Sequence, residues 1–291
     1  MTARVALIGF GEAGQTFAGA AGWSCQTDAF DRLINDPDFR RALVADCAAL
    51  GVRPAATLKE ALADADLVLS LVTAGEALAA ATEAAQFIRK GALYCDMNSV
   101  SPDTKRSAAS AVDARGGRYV DVAIMAPVKP AELGAPLLIS GPDALEAERA
   151  LRRVGFRDPR AVGRRVGEVS AIKMIRSVLV KGIEALTAEA MLAASQAGVV
   201  DEVLRSLDSS ERAVSWRERA NYNLERIIVH GIRRAEEMEE AVRTLQSLGV
   251  EPVLTQGTVR RQREIGALGL DPGHGLQSKL DQFGIKKADA A

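Results

Sequence analysis

Short apolar runs alternate with amphipathic, alanine-rich stretches through the first half of the chain. Val5 to Ile8 is an apolar run ending at glycine, and Glu12 to Gly22 has a helical pattern with Gly22 placed as its C-cap. Thr27 to Phe30 is a second short strand. Pro37 to Leu50 reads as a helix, with Asp36 as its N-cap and Pro37 at the first helical position. Leu67 to Val72 is almost continuously apolar, as in a strand covered on both faces. Gly75 to Lys90 is helical, Leu93 to Asp96 a strand, and Pro102 to Arg115 a helix stopped by Gly116 and Gly117. Tyr119 to Ile124 and Leu137 to Ile139 complete the strands. This alternation predicts βαβ units, hence an α/β fold with a doubly wound, mainly parallel sheet. From Gly167 the strand signal ends. Gly167 to about Ala197 predicts one helix of about 30 residues, ~45 Å long. Helices over Asp201 to Leu207, Ser210 to Leu248 and Thr255 to Leu268 follow, with Lys286 to Ala291 as a frayed tail. The expected organisation is an α/β domain over residues 1–165 and an all-α domain over residues 166–291.

Between the first strand and the first helix stands Gly9-Phe10-Gly11-Glu12-Ala13-Gly14, a GxGxxG. Gly9 permits the tight turn, Gly11 lets backbone approach a pyrophosphate, and Gly14 lets helix and strand pack closely. The helix N-terminus adds free N–H groups and a partial positive charge. Strand, loop, helix and second strand in this order predict a Rossmann site for a nicotinamide dinucleotide, built on Gly9, Phe10, Gly11, Glu12, Ala13 and Gly14. Asp31 ends the second strand. A carboxylate there accepts hydrogen bonds from the adenosine ribose hydroxyls and repels a 2′-phosphate, which favours NAD. Arg32 follows at once and suits a 2′-phosphate, which leaves NADP open. Val72 and Thr73, where the strand from Leu67 ends, are expected as further cofactor contacts.

Composition narrows the partners. The chain has 291 residues, enough for two domains with their own cores. There are 37 basic and 38 acidic residues, so no basic excess drives nucleic-acid binding. No apolar run approaches the ~20 residues of a membrane span, and Met1 to Val5 lacks the layout of a signal peptide. The cysteines, Cys25, Cys47 and Cys95, have no paired spacing and read as thiols in a reducing compartment; a cytoplasmic location is expected. Two histidines, His230 and His274, leave little material for a metal site, and no metal is expected.

With this layout in view, the chain resembles the β-hydroxyacid dehydrogenases, the group of 6-phosphogluconate and 3-hydroxyisobutyrate dehydrogenases, in a branch with a short helical C-terminal domain. Asp96-Met97-Asn98-Ser99-Val100-Ser101-Pro102 resembles the family's D-x-S-T-x-x-P loop, which lies beside the nicotinamide ribose. The match sets Ser99 on the cofactor-contacting threonine, with Asn98 beside it. Asp121 to Pro127 falls where the family has its substrate loop, D-A-P-V-S-G-G, and Gly134 to Gly141 where G-x-L-x-x-x-x-G follows. Gly167 to Lys173 resembles the G-x-G-x-x-x-K that opens the long helix. The substrate half departs from the family. Met125 replaces the serine, Ala126 and Pro127 the two glycines, Val169 the second glycine of the lysine motif, and Ser177 the asparagine four residues after the lysine. The resemblance implies an NAD(P)-dependent dehydrogenase acting on a small hydroxy acid or related alcohol. It further implies Lys173 as general acid–base and a homodimer formed through the C-terminal helices. It carries over no named substrate.

Lys173, Ser177 and Lys181 share one helix face at i, i+4 and i+8. On spacing alone the stripe fits a solvated face; the family match turns Lys173 toward a cleft. A lysine desolvated beside a nicotinamide cation has its pKa lowered, which suits proton shuttling near neutral pH. Ser177 is placed to bond the substrate oxygen, and Met125 lies in the substrate loop. Lys129 either binds a carboxylate or is a surface lysine beside Pro130. His230 is either a core histidine or a substrate contact from the helical domain. Arg152, Arg153, Arg157, Arg160, Arg164 and Arg165 read as a solvated connector, with a phosphate-bearing substrate as their other use. Two rivals stand beside the dehydrogenase. One is imine reduction, against which Lys173 speaks because imine-reducing relatives typically carry another residue there. The other is a dinucleotide-binding protein without catalysis, supported by the altered substrate loop.

Overall fold

In a computed structural model, residues 4–21, 27–210, 214–247 and 249–283 are described. Among them lie eight strands: β1 (Val5–Ile8), β2 (Thr27–Phe30), β3 (Arg53–Pro54), β4 (Leu67–Ser70), β5 (Leu93–Asp96), β6 (Arg118–Ile124), β7 (Leu137–Ser140) and β8 (Pro159–Gly163). They form one sheet in the order β3-β2-β1-β4-β5-β6-β7-β8. Only β6 and β7 pair antiparallel. The order reverses between β1 and β4, the switch point at which open α/β sheets bind ligands beyond the carboxyl ends of their strands.

Residues along the central strands alternate between the two faces, and both faces are apolar there. Val5 and Leu7, Leu67 and Leu69, and Leu93 and Cys95 enter one buried cluster. Their neighbours Ala6 and Ile8, Val68 and Tyr94 enter the other. The first face is covered by α1 (Glu12–Ala21) and α7 (Ala144–Arg153), where Phe17 meets Phe156 edge to face at 5.0 Å. The second is covered by α3 (Leu58–Leu62), α4 (Ala77–Ala84) and α5 (Pro102–Asp113). Helix α2 (Pro37–Ala49) starts as its sequence predicts: Asp36 Oδ1 accepts from the Asp38 N–H at 2.9 Å, and Pro37 holds the first helical position.

Three stretches depart from the sequence expectation. β3 has two residues, one of them proline, and sits at the sheet edge where proline is tolerated. The stretch from Gly75 to Lys90 forms a 3₁₀ turn, Ala74–Glu76, before the shorter α4. The arginine-rich segment exposes its arginines, as expected, but it is more than a connector: it includes the last turn of α7 and the strand β8. Arg152 there donates to the carbonyls of Pro159 at 2.7 Å and Arg157 at 3.1 Å, fastening helix to strand.

After β6, a short helix α6 (Val128–Ala131) ends at Glu132, whose φ of 48° and ψ of −134° suit glycine. Such a conformation costs a side-chain-bearing residue about 1–3 kcal/mol. Glu132→Gly is therefore expected to stabilise the chain by roughly 1 kcal/mol, net of the added unfolded-state entropy. A urea titration showing a lower midpoint for the variant would contradict this.

Helix α8 (Glu168–Ala197) is 30 residues long, as the sequence predicts. The chain divides into two compact units inside it, between Val178 and Leu179. In the second unit, α10 (Trp216–Ser247) packs along α11 (Val253–Gly266) and α12 (Gly275–Asp281), with α9 (Val200–Ser210) preceding them. Lys279 on α12 is buried against α10, donating to Asn221 Oδ1 at 2.9 Å and pairing with Glu225 at 3.3 Å. Gly22, Trp23, Cys25 and the expected frayed tail lie outside the described residues.

Candidate functional site

The glycine loop leaves the carboxyl end of β1. Gly9 takes a φ of +89°, and a Cβ there would lie 2.6 Å from the Leu71 carbonyl oxygen; at Gly14 it would lie 2.7 Å from the Gly9 oxygen. Both positions exclude side chains, one by its turn and one by close packing. A Cβ on Gly11 meets nothing within 4 Å, so the loop presents bare backbone to open space at the start of α1. The Phe10 ring is buried in the core, which leaves that residue's backbone to the site. Asp31 is fixed beside the loop by two donors: the Phe10 N–H reaches its Oδ2 at 2.9 Å and the Leu33 N–H its Oδ1 at 3.0 Å. Glu12 is exposed and pairs with Lys129 of α6 at 3.5 Å, while Ala13 packs partly against the core. Arg32 pairs with Glu76 at 2.6 Å. Val72 and Thr73 follow the end of β4, half-buried and exposed respectively. An open, backbone-lined loop at a helix N-terminus, with a carboxylate held at the end of β2, fits a dinucleotide's pyrophosphate and ribose.

The loop after β5 is held by a buried charge cluster. Lys105 of α5 is fully buried, and its Nζ donates to the Asp96 carbonyl at 2.6 Å and to Asp96 Oδ1 at 2.9 Å. The same Nζ lies 3.3 Å from Asp121 Oδ1. Asp96 also accepts from the Asn98 N–H at 2.9 Å and from the Tyr119 hydroxyl at 2.7 Å. Burial, and then the charge of Asp96, push the Tyr119 phenol far above its ordinary range, so it stays a donor. Asn98 is buried. Its Nδ2 donates to Ser70 Oγ at 3.0 Å, and its Oδ1 has no hydrogen-bond partner among the described residues. An acceptor left unsatisfied this way costs about 1–3 kcal/mol unless a ligand engages it. Ser99 is exposed at the tip of the loop.

The other carboxylate of the cluster starts α8. Asp121 Oδ2 accepts from the Gly167 N–H at 3.1 Å and the Ser170 N–H at 3.2 Å, and Ser140 Oγ accepts from the Val169 N–H at 3.3 Å. Backbone donors that a helix cannot satisfy itself are thus met from β6 and β7. A carboxylate at this terminus is also favoured by the helix dipole. Lys173 and Ser177 follow on α8, both half-buried. Met125 packs against the cluster of Ala123, Leu138 and Val169, so two departures from the family motif, Met125 and Val169, share one apolar contact region. His230 is half-buried on α10, in the second unit. The Lys181 side chain lies outside the described residues.

Sequence reasoning missed Lys105, Tyr119 and Glu76. For Lys105 a signal existed: it shares the inward spacing of Ala108, Ala109 and Val112 on α5, a lysine in an apolar register. For Glu76 there was none, because its partner is 44 residues away.

Residues 4–155 match the NAD binding domain of 6-phosphogluconate dehydrogenase. The chain belongs to that family. Residues 194–265 of this 6-phosphogluconate dehydrogenase-type chain match a domain of unknown function, DUF1932. The family's cofactor is NAD(P), and the site geometry fits it. The chain is similar to a conserved hypothetical protein from Sinorhizobium meliloti 1021, with 38% identity, 97% of this chain and 95% of that one covered, and a TM-score of 0.62. It is also similar to a conserved protein described as structurally similar to 3-hydroxyacid dehydrogenases. Identity is 33%, coverage 92% of this chain and 100% of that one, and the TM-score 0.58. Its fold is shared with an imine reductase from Myxococcus stipitatus in complex with NADP+, at 21% identity, 96% and 99% coverage and a TM-score of 0.75. The fold is therefore one of dehydrogenases and reductases. No helix among the described residues is long and apolar enough to cross a membrane.

Proposed function

We propose that this chain is an NAD-preferring oxidoreductase that oxidises, or in reverse forms, the carbinol carbon of a small hydroxy acid or related alcohol. The observation that carries the reading is the start of α8. Lys173 stands one turn beyond a helix terminus capped by Asp121, and Asp121 shares Lys105 with Asp96, which holds the Asn98–Ser99 loop. The nicotinamide, when bound, supplies the hydride acceptor or donor. In the oxidising direction Lys173, as the neutral amine, accepts the hydroxyl proton; in the reducing direction its ammonium returns it. Ser177 orients the substrate oxygen. Lys129 takes a substrate carboxylate by exchanging its exposed partner Glu12, a loose pairing at 3.5 Å. Met125 adds an apolar substrate contact. Asp31 selects NAD over NADP.

Residues 1–165 serve as the dinucleotide domain and residues 166–291 as the substrate and dimerisation domain. A homodimer through the C-terminal helices is supported by Ile175, Leu179, Ile183 and Leu192, large apolar residues exposed along α8. Buried free thiols at Cys47 and Cys95 fit the reducing cytoplasm. A second reading, imine reduction, is favoured by the apolar cluster around Met125 and Val169, which offers few groups for a carboxylate.

The test is a turnover panel with the full chain: hydroxy acids and polyols with NAD or NADP, and cyclic imines with the reduced cofactors. Oxidation of a hydroxy acid is expected. Turnover of imines alone would replace this reading with the second. Tight cofactor binding without turnover of any member would indicate a dinucleotide-binding protein.

A further inference from the structure

The strand order places β1 between β2 and β4, and the glycine loop leaves its carboxyl end. Arg32 follows β2 and Glu76 follows β4. Their ion pair, Nη1 to Oε2 at 2.6 Å, therefore spans from one flanking loop to the other, across the end of β1. It thus links the two loops that flank the switch point, where in such folds an adenosine ribose meets the acid ending β2. Asp31 is already fixed by the Phe10 and Leu33 N–H groups, so the end of β2 offers one carboxylate held by backbone, followed at once by a guanidinium engaged by the second carboxylate, Glu76.

We infer that Glu76 is a cofactor-specificity residue, which works by holding and neutralising Arg32. This rests on the NAD-preferring reading above and extends it. A 2′-phosphate carries close to two negative charges, as a phosphomonoester does near neutral pH. At this mouth it meets a patch of net charge −1, whose one guanidinium is engaged by a carboxylate. NAD brings hydroxyls instead and needs only Asp31. Both partners are partly exposed, with side-chain exposures of 67% and 39%, and an exposed pair of this kind is weak. A weak latch is one that a single substitution opens. Replacing the Glu76 carboxylate with an amide raises the patch to neutrality and frees Arg32 for a phosphate. Replacing Asp31 as well raises it to +1.

The experiment is calorimetric titration of NADH and NADPH into the full-length wild type, Glu76→Gln, Arg32→Ala and the Arg32→Ala/Glu76→Gln double variant. Glu76→Gln is expected to tighten NADPH by about threefold to tenfold and to leave NADH within about twofold, the scale of a screened surface charge. The gain is expected to vanish in the Arg32→Ala background. An unchanged NADPH-to-NADH ratio in Glu76→Gln, or a gain that persists without Arg32, would overturn the inference. The wild-type ratio judges the NAD preference separately: tighter NADPH binding there refutes that preference, whatever Glu76→Gln does.

Discussion

Lys173→Ala is expected to lower turnover of the identified substrate by roughly 10²–10⁴, the usual contribution of a general acid–base. Cofactor affinity is expected to stay within about twofold, because the glycine loop, Asp31 and the Asn98 loop are untouched. Lys173→Arg does not rescue turnover, since a guanidinium stays protonated near neutral pH and is a poor base. Ser177→Ala, one turn further along α8, is expected to raise KM more than it lowers kcat, as suits a group that orients rather than transfers. Steady-state kinetics beside a cofactor titration measure all three. Near-normal turnover in Lys173→Ala would reduce that lysine to part of a polar stripe and remove the proposed proton step, while the dinucleotide site would stand.

The second large effect concerns stability. Lys105→Met keeps most of the side-chain volume but leaves Asp96 and Asp121, both fully buried, without their shared cation. Removing one partner of a buried ion cluster typically costs about 3–5 kcal/mol, because an uncompensated charge stays behind. The remaining donors, Tyr119, Asn98, Gly167 and Ser170, keep the carboxylates hydrogen-bonded but do not neutralise them. Urea unfolding followed by circular dichroism is expected to show a loss of this size. Lys105→Met/Asp121→Asn is expected to recover part of it, since the amide oxygen still accepts from the start of α8 while the buried excess charge falls. A loss below about 1 kcal/mol in Lys105→Met, the scale of an exposed pair such as Arg32–Glu76, would show that the cluster does not hold the sheet, Asn98 loop and α8 together.

The parts of the fold that sequence exposes are those with local causes. Alternating apolar strands, the capped start of α2 and the glycine loop all follow from residues within a few positions of one another. β3 escaped because its pairing with β2 outside any apolar run leaves no pattern, and β8 because Arg160 and its neighbours read as solvent-facing. At the site, Asp31 and Lys173 carried motif signals. The cap on α8 did not. Asp121 lies 46 residues before Gly167, and only the sheet brings them within 3.1 Å. Met125 and Val169 each read as a departure from a family pattern; that they meet in one apolar cluster needed β6 and α8 in place.

The central claim is that hydrogen moves from the substrate's carbinol carbon to the nicotinamide. It is tested most directly by an isotope. The hydroxy acid that emerges from the turnover panel would be prepared with deuterium on that carbon, incubated with the full chain and NAD, and the mass of the recovered NADH measured. The account predicts NADH carrying the deuterium. NADH formed without the label would contradict it.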